Sequence, residues 1–506
     1  MKGVMIQGTA SDVGKSLIVT ALCRMFANEG TKVAPFKSQN MSNNSYVTIM
    51  GEEIGRAQGI QAEAAKTDAT VWMNPILLKP RSDQQSEVVL LGKAVQTLSG
   101  RGYRDSFYEK GVNVIHSALE HLNNEFDVVV IEGAGSPVEV NLKDRELVNM
   151  KVAELADVPV VLVADIDRGG IFASMIGTLE LLTTEERKRV QGLIINKFRG
   201  DLSLFEDGIQ WLEEKTGIPV LGVLPYIEQH GIDGEDSLSL QNQIHNQVKG
   251  EIDIVVIYLP FISNYSDIEP FSFESDVSVR WVKHPSEFGK PDAVIIPGTK
   301  STINDLQHLQ DVQLDLLIKE FVTDGGSIVG LCGGYQMLGV EIFDEAGSDT
   351  GKVSSHIDGL KIIPAKTTFQ PLKETVQVKG AYHPQTNLIK RRLIEGYEIH
   401  LGRTVHTGQS RPFLLLEGEK EEGYYSNEGK IIGTYLHHLF HNDEWRNEWL
   451  NGIRSRKGVE RKEVVYANDL KEDRYDQLAT QSKEHLNWEL LKQIIEQWGA
   501  ATNEIR

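Results

Sequence analysis

The chain has 506 residues, which is too long for a single hydrophobic core and indicates about two to four domains. Its 52 basic and 72 acidic residues give a net charge of −20, which argues against nucleic acid as a partner, because phosphate backbones are bound by clustered Lys and Arg. With 40% hydrophobic and 25% charged residues the composition is that of a globular protein, and no apolar run reaches the length of about 18 residues that a membrane span requires.

The N-terminal stretch MKGVMIQGTA lacks the apolar run and small-residue cleavage site of an export signal, so we expect a cytoplasmic protein. The only two cysteines, Cys23 and Cys332, lie far apart in different contexts. This argues against a disulfide framework or a Cys-rich metal site and fits a reducing compartment.

Short apolar runs alternate with helical patterns through residues 1–230. Runs that are apolar on both faces and separated by helices indicate a parallel sheet covered on each side. The runs are KGVMIQ, KVAPF, FDVVVIEG, VPVVLVADID, GLIINKF and IPVLGVLP. We therefore expect a doubly wound α/β domain over residues 1–230.

A polar, turn-rich stretch at residues 231–251 predicts a linker. A second α/β series follows over residues 252–441, with IDIVVIYLP, PDAVIIPG, GSIVGLCGG, GYEIHLGRT and KIIGTYLHHLF. In the tail, residues 442–506, tryptophans and aliphatic residues recur among charges with the spacing of amphipathic helices. The fold class we predict is α/β, with two doubly wound domains and a helical tail.

The first strand runs into GTASDVGKS, which a helical pattern follows. A glycine-containing turn at a helix N-terminus presents backbone N–H groups to phosphate, here around Gly8, Thr9 and Gly14. Lys15 is then expected to reach the outer phosphates, and Ser16 to bind Mg²⁺. The loop has one more residue between its outer glycines than the usual GxxxxGKS, and in this it resembles the dethiobiotin synthetase group. A turn that merely links strand to helix is the alternative.

Polar residues at the ends of later strands complete the predicted nucleotide site. Glu132 ends FDVVVIEG, where a carboxylate can bind Mg²⁺ directly or through water, although a cap or a salt bridge would also explain it. Asp165 and Asp167 end VLVADID and are further candidates. Asn196 ends GLIINKF, where many P-loop folds read the base. A guanine-selecting NKxD loop would need Asp where Arg199 stands, so ATP is favoured over GTP.

Three basic residues in distinctive stretches are candidates for binding an anionic substrate. They are Lys37 in PFKSQNMSNNS, Lys79 in LLKPRSD and Arg168 in DIDRGGIFA. A solvated surface charge is the alternative interpretation of each.

Cys332 lies in SIVGLCGGYQMLG, between an apolar strand and a helical pattern. A strand-to-helix elbow exposes a thiol at a helix N-terminus, where the helix dipole lowers the thiol pKa and adjacent glycines permit a strained backbone. We therefore predict that Cys332 is a nucleophile rather than a buried core cysteine. Cys23, in the apolar face of the first helix, is predicted to be core.

A thiol nucleophile requires a base, and several histidines qualify on chemistry alone. His437 and His438 follow the strand KIIGTYL, and strand alternation would direct only one of them to Cys332. The other candidates are His383, His400 and His406.

The turn PGTKST is expected to supply a backbone N–H near Gly298. Together with the N–H of Gly333 it would form an oxyanion hole.

Together these stretches closely resemble the cobyric acid synthases, the CobQ family of cobalamin biosynthesis. The resemblance covers most of residues 5–440, and its combination of motifs is specific. The matching pieces are MIQGTASDVGKS, APFKSQNMSNNSYVT, EIGRAQ, MNPILLKPRSD, IEGAGSPVEVNL, DIDRGGIFAS, INKFRGD, PGTKST, LCGGYQMLG, GYEIHLGRT and GTYLHHLF.

The resemblance implies a dethiobiotin synthetase-like ATP domain followed by a class I glutamine amidotransferase domain of the cobyrinic type. In that type Cys332 is the nucleophile and His437 the base. Many class I amidotransferases have a Glu two residues after the catalytic His, whereas this chain has Leu439, as the cobyrinic subgroup does. What orients His437 is therefore open at this stage.

The family's reaction is the ATP-dependent amidation of the b, d, e and g carboxylates of adenosylcobyrinic acid a,c-diamide, with glutamine as amide donor. Ammonia released at Cys332 would travel along an enclosed path to an acyl phosphate. One alternative is the a,c-diamide synthase, which acts earlier on the same macrocycle; PFKSQNMSNNS favours the later enzyme. Another is a P-loop ATPase switch carrying an inactive amidotransferase-like module, against which the complete LCGG and YLHH elements argue.

Overall fold

The computed structural model describes residues 1–82, 85–227, 250–386, 393–409 and 411–503. The chain forms two compact units with interleaved sequence. The first unit comprises Met1–Ser42, Glu53–Glu235 and Lys471–Arg506, and the second comprises Asn43–Glu52 and Asp236–Leu470. The predicted linker, residues 231–251, falls outside the described residues except at its last two positions.

The first unit is built on a six-stranded sheet whose paired strands are all parallel. Its inner strands are almost wholly buried apolar residues, as expected for strands that are covered on both faces. In sheet order the strands are Val220–Pro225, Val190–Phe198, Val160–Asp165, Gly3–Gly8, Val128–Glu132 and Val33–Phe36. The doubly wound α/β prediction is confirmed for this unit.

Helices of the first unit come from both ends of the chain. Trp488, Leu491 and Ile495 share a buried cluster with Val4 and Phe26, so the C-terminal helix packs on the parallel sheet and the first helix. The helices are Lys15–Asn28, Arg56–Ala64, Gly100–Glu125, Met150–Ala156, Ile171–Leu181, Thr184–Arg189, Glu206–Thr216, Ala467–His485 and Trp488–Asn503.

The first unit also contains a small four-stranded sheet, which the sequence analysis did not anticipate. Its outer strand is almost fully exposed, so it lacks the apolar run by which the main strands were recognised. The strands are Gln39–Met41, Ile76–Ser82, Gln85–Leu90 and Lys93–Ser99, and Glu53–Gly55 is a further short strand.

The second unit has its own six-stranded sheet, parallel except for an antiparallel edge strand. In sheet order the strands are Val277–Val282, Ile252–Ile257, Ala293–Ile296, Ser327–Leu331, Ile431–Thr434 and Tyr424–Ser426. Its helices are Pro285–Phe288, Thr302–Asp311, Leu314–Thr323, Gly333–Leu338 and Asp443–Lys457. The α/β prediction is confirmed here too.

A second, seven-stranded sheet accompanies it. Two long antiparallel strands, Ala365–Tyr382 and Leu393–His406, form its centre, and Leu436–His437 pairs with the latter. The remaining strands are Glu341–Asp344, Ser355–Asp358, Leu414–Leu416 and Lys420–Glu422, and Ser45–Val47 is a further short strand of this unit. His437 therefore lies where the chain passes from the parallel sheet into the antiparallel one.

The compact units follow a different chain path from the predicted domains, whose boundaries stay a prediction. The tail, predicted as one helical region, is shared. Helix Asp443–Lys457 belongs to the second unit because Arg446 and Arg454 pair there with buried carboxylates, whereas the last helix packs in the first unit. Among the described residues, no helix combines the length and apolarity needed to cross a membrane.

The buried arginines of helix Asp443–Lys457 predict a stability effect. Arg454 donates to both carboxylate oxygens of Asp276 at 2.9 Å and to Glu274 at 3.2 Å. Arg454→Ala leaves these buried carboxylates with one cation fewer, which is expected to cost about 3–5 kcal/mol of unfolding free energy. Urea unfolding followed by tryptophan fluorescence measures this.

Lys457 on the same helix is the matched control. It pairs with Asp292 at 2.6 Å but is 41% exposed, so Lys457→Ala is expected to cost about 1 kcal/mol or less. If the two variants lose the same unfolding free energy, the buried ion pairs of Arg454 contribute no more to stability than the exposed pair of Lys457.

Candidate functional site

The predicted phosphate loop forms a strand-to-helix turn in the first unit. Gly14 has a φ of 96°, and a Cβ there would lie 2.1 Å from the Asn196 amide, so only glycine fits. Helix Lys15–Asn28 begins directly after it. The Lys15 ammonium curls over the loop and donates to the carbonyls of Ala10 at 3.1 Å and Gly135 at 3.3 Å. These contacts hold the Lys15 ammonium over the loop that would receive phosphate.

Glu132 is the centre of a buried polar cluster beside this loop. Its carboxylate accepts from Ser16 Oγ at 2.8 Å, from Lys37 Nζ at 3.0 Å and from Gln61 Nε2 at 2.5 Å. Burial opposes its ionisation, but the Lys37 charge and the three donors hold the pKa of Glu132 below its usual range. Glu132 is therefore a carboxylate, and it lies beside the Ser16 hydroxyl as a pair of hard oxygen donors that suits Mg²⁺.

Asn196 and its neighbours brace the loop from the adjacent strand end. The Asn196 amide donates to the Val13 carbonyl at 2.8 Å, and Lys197 donates to the Asp12 carbonyl at 2.6 Å and to Asp165 at 2.8 Å. Asp165 therefore pairs with a lysine of its own neighbouring strand. These contacts place Asn196 at the phosphate loop.

The three candidate substrate residues differ in environment. Lys37 is buried against Glu132, so it belongs to the phosphate-loop cluster. Lys79 is buried and pairs with Glu53, and its charge is therefore already neutralised within the first unit. Arg168 is 61% exposed and lies 3.5 Å from Asp12 of the loop. Of the three, Arg168 offers the most accessible charge, and their role as substrate ligands stays a prediction.

In the second unit, Cys332 forms the predicted elbow. Strand Ser327–Leu331 ends before it and helix Gly333–Leu338 starts after it. Its φ of 49° and ψ of −107° place a non-glycine residue in a strained conformation, as a nucleophile elbow requires. A Cβ at Gly334 would lie 2.0 Å from the Ile296 carbonyl, so the following turn packs too closely for any side chain. The Cys332 thiol donates to the Ile399 carbonyl at 3.6 Å.

His437 is fully buried and has a carboxylate partner that the sequence analysis missed. Its Nδ1 lies 2.7 Å from Asp267 Oδ2, and the backbone N–H of His438 donates to Asp267 Oδ1 at 2.8 Å. Burial lowers the pKa of His437, but the charge and hydrogen bond of Asp267, together with the nearby Cys332 thiol, raise it to about 10. Asp267 thus supplies the carboxylate partner of His437 Nδ1, which Leu439 does not supply.

Sequence offered one signal for Asp267. The polar run SNYSD follows the buried strand Ile252–Ile257, and the carboxyl ends of parallel strands are where sites form in open α/β sheets. Its distance along the chain from His437 concealed the pairing. The same run contributes Asn264, whose Nδ2 lies 3.2 Å from His437 Nε2.

The remaining histidine candidates make other contacts. His438 has a φ of 65° and stacks on His441, so the chain turns after His437. His400 Nδ1 lies 2.8 Å from the Gly402 carbonyl, and His406 Nε2 lies 3.0 Å from the Tyr335 hydroxyl. His383 Nε2 lies 3.4 Å from Glu421. The Cys332 thiol contributes to the raised pKa of His437, so the structure brings these two residues together.

The glycines of the predicted oxyanion hole lie close to this pair. A Cβ at Gly298 would be 3.1 Å from His437 Cε1, and a Cβ at Gly333 would be 3.2 Å from the Thr299 nitrogen. The turn after strand Ala293–Ile296 and the elbow therefore adjoin each other, as the prediction requires. Their role in stabilising an oxyanion stays a prediction.

Comparison with known proteins agrees with both halves of the chain. Residues 4–236 match the family described as CobQ/CobB/MinD/ParA nucleotide binding domain. Residues 253–445 match the family described as CobB/CobQ-like glutamine amidotransferase domain.

Full-length relatives named cobyric acid synthase are similar over nearly the whole chain. The protein of Geobacillus kaustophilus (strain HTA426) is 49% identical over 499 residues, covering 98% of each chain. That of Desulforamulus reducens is 48% identical over 504 residues, covering 98% of each. That of Streptococcus sanguinis (strain SK36) is 44% identical, covering 98% of this chain and 99% of the relative. The chain belongs to the cobyric acid synthase family.

Proposed function

We propose that this chain is an adenosylcobyric acid synthase that hydrolyses glutamine and amidates the b, d, e and g carboxylates of adenosylcobyrinic acid a,c-diamide with ATP. The observation that carries the proposal is the presence, in a chain of this family, of both a phosphate loop with a carboxylate and hydroxyl beside it and a Cys332 elbow with a buried His437–Asp267 pair. The family membership supports the corrin substrate.

In the first unit, the side chains around the phosphate loop would activate a substrate carboxylate. ATP would transfer its terminal phosphoryl group to a corrin carboxylate oxygen, which gives an acyl phosphate and ADP. The backbone N–H groups from Gly8 to Ser16 would hold the phosphates, and Lys15 would neutralise charge on the transferred group. The residues that would hold Mg²⁺ are Ser16 and Glu132, and the ion would supply further neutralisation of that charge.

Release of Glu132 from its present donors is part of this proposal. Ser16, Lys37 and Gln61 donate to its carboxylate oxygens, and we propose that a bound cation takes the place of the Lys37 hydrogen bond. Lys37 then becomes available to the anionic phosphates or to the substrate carboxylate. Lys37 would then bind an anionic group at the phosphate site, although it is buried against Glu132.

In the second unit, Cys332 and His437 would hydrolyse glutamine. The thiol proton passes to His437 Nε2, and the thiolate sulfur attacks the glutamine Cδ to form a tetrahedral adduct. The backbone N–H groups near Gly298 and of Gly333 would stabilise its oxyanion. His437 then protonates the departing nitrogen, which leaves as ammonia, and water hydrolyses the thioester to glutamate. Asp267 holds the imidazole with Nδ1–H directed toward its carboxylate.

The choice of corrin substrate is tested by supplying each intermediate with ATP and glutamine. We expect products that carry four additional amides from the a,c-diamide, with no turnover when ATP is omitted. Mass spectrometry of the corrin products measures this. Efficient amidation of the acid lacking both amides, with the diamide untouched, would instead identify an a,c-diamide synthase.

Replacing the nucleophile should separate the two half-reactions. Cys332→Ala is expected to abolish glutamine-dependent amidation while ammonia-dependent amidation stays largely intact, because the phosphate site does not use the thiol. Cys23→Ala is the matched control, since Cys23 is buried and burial raises the pKa of its thiol. Glutamate release by the Cys332→Ala protein would refute the assigned nucleophile.

Asp267→Asn tests the third residue of the catalytic arrangement. Loss of the carboxylate charge lowers the pKa of His437 from about 10, so the imidazolium is lost at lower pH and the alkaline limb of glutamine hydrolysis moves down in pH. The rate at neutral pH is expected to fall roughly 10²-fold or more. Glutamate release measured from pH 6 to pH 10 tests both effects.

The control for this variant is Glu269→Gln in the same helical segment. Glu269 faces His441, at 3.8 Å, rather than His437, so its pH profile is expected to follow that of the unchanged protein. A wild-type profile for Asp267→Asn would rule out Asp267 as the residue that positions His437.

A further inference from the structure

Residues Asn43–Glu52, which we call the inserted segment, belong to the second unit although the chain on both sides of them belongs to the first. Within the second unit the segment is bound through its backbone. Gln377 donates to the Val47 carbonyl at 2.7 Å, and the Tyr397 hydroxyl donates to the Ser45 carbonyl at 3.4 Å. The Val47 side chain forms a small buried cluster with Tyr397 and Ile399.

The inserted segment also contacts the residue that faces His437 Nε2. The backbone N–H of Ser45 donates to Asn264 Oδ1 at 3.0 Å, while Asn44 Oδ1 accepts from the backbone N–H of Tyr265 at 3.3 Å. Asn264 Nδ2 in turn lies 3.2 Å from His437 Nε2. Since all these atoms belong to buried residues, water does not substitute for the contacts at low cost.

The Ser45 backbone fixes which end of the Asn264 amide meets the histidine. The oxygen and nitrogen of an amide side chain have nearly the same shape, so hydrogen-bond partners determine its orientation. A backbone N–H can only donate, which requires Oδ1 on the Ser45 side. The NH₂ group therefore points at His437 Nε2, and it can bond there only to an unprotonated nitrogen.

The groups around the ring consequently favour opposite protonation states. Asp267 at Nδ1 and Cys332 favour the imidazolium, whereas the Asn264 NH₂ group favours the neutral ring. Tyr397, which stacks on the ring with centroids 5.1 Å apart, and His438, the next residue along the chain, are the other titratable neighbours. An imidazolium would set an Nε2–H against the amide hydrogens of Asn264.

We propose that Asn264 is a positioning residue that favours the neutral, Nε2-accepting form of His437 and so opposes Asp267, and that the Ser45 backbone N–H is the contact that keeps Asn264 in this orientation. The inference rests on the proposed roles of Cys332 and His437. When the Cys332 S–H bond breaks and the Nε2–H bond forms, the Asn264 hydrogen must leave Nε2. A turned amide would instead offer Oδ1 to Nε2–H and stabilise the thiolate–imidazolium pair.

Two substitutions remove the restraint in different ways. Ser45→Pro deletes the backbone donor together with the hydroxyl and fixes φ, and Asn264→Gly deletes the amide while tolerating the positive φ of 53° at that position. Ser45→Ala keeps the backbone N–H and loses only the hydroxyl, and it is the matched control. The readout is the rate at which iodoacetamide alkylates Cys332 from pH 5 to pH 10 without glutamine, with the modified peptide identified by mass.

Both substitutions are expected to raise the alkylation rate between the acid and alkaline midpoints about threefold to tenfold, because removing a group that disfavours the imidazolium causes a shift of the pair toward thiolate and imidazolium. The acid midpoint is expected not to move down. Ser45→Ala should follow the unchanged protein. An unchanged or lower alkylation rate between the midpoints would reduce Asn264 to a packing role, and a downward shift of the acid midpoint would show that Asn264 stabilises the imidazolium; either result overturns the proposal.

This test is independent of the corrin and of ATP. If Cys332 is not alkylated in any variant, or if Cys332→Ala still releases glutamate, the proposed glutaminase site fails. If Cys332 reacts normally and only the shift is missing, the proposed function stands and the role of Asn264 fails.

Discussion

The hydrogen bonds of Asp267 are the interaction on which the second unit's chemistry depends. One carboxylate oxygen meets His437 Nδ1, and the other accepts the backbone N–H of His438. The first bond sets the tautomer of the ring, and the second holds the turn that carries the ring. Because both oxygens accept hydrogen bonds, the carboxylate holds the imidazole in one orientation close to Cys332.

A buried carboxylate organises the first unit in a comparable way. Glu132 collects donors from the helix after the phosphate loop, from Lys37 and from Gln61. A buried carboxylate needs such partners to remain ionised. These contacts therefore keep a negative charge on Glu132, at the position where a cation would bind. The partners are hydroxyl, ammonium and amide groups that can be exchanged singly, which lets the site accept a ligand without rebuilding its backbone.

The sequence predicted the parts of both sites that are local in the chain. The phosphate loop with Lys15 and Ser16, and the Cys332 elbow, are each a strand, a turn and a helix within one short stretch, and that pattern constrains the backbone strongly. The partners of His437 could not be predicted from the sequence. Asp267 and Asn264 belong to a 3₁₀ segment far upstream, and no local periodicity pairs them with YLHH. The antiparallel sheets were missed because their strands carry many exposed polar residues and lack continuous apolar runs.

The path of the chain explains why the unit boundaries could not be predicted from composition. The inserted segment is polar and short, and a domain assignment from apolar strands places it with the strands on either side. Its attachment to the second unit is made through backbone groups at Ser45 and Val47 and through the side chains of Asn44 and Val47, which form no recognisable local pattern. The segment also bears on the chemistry, because it orients Asn264, whose proposed preference for the neutral His437 ring opposes the preference of Asp267 for the imidazolium. In such a balance about 1.4 kcal/mol, the order of one hydrogen bond, changes the ratio of the two states tenfold.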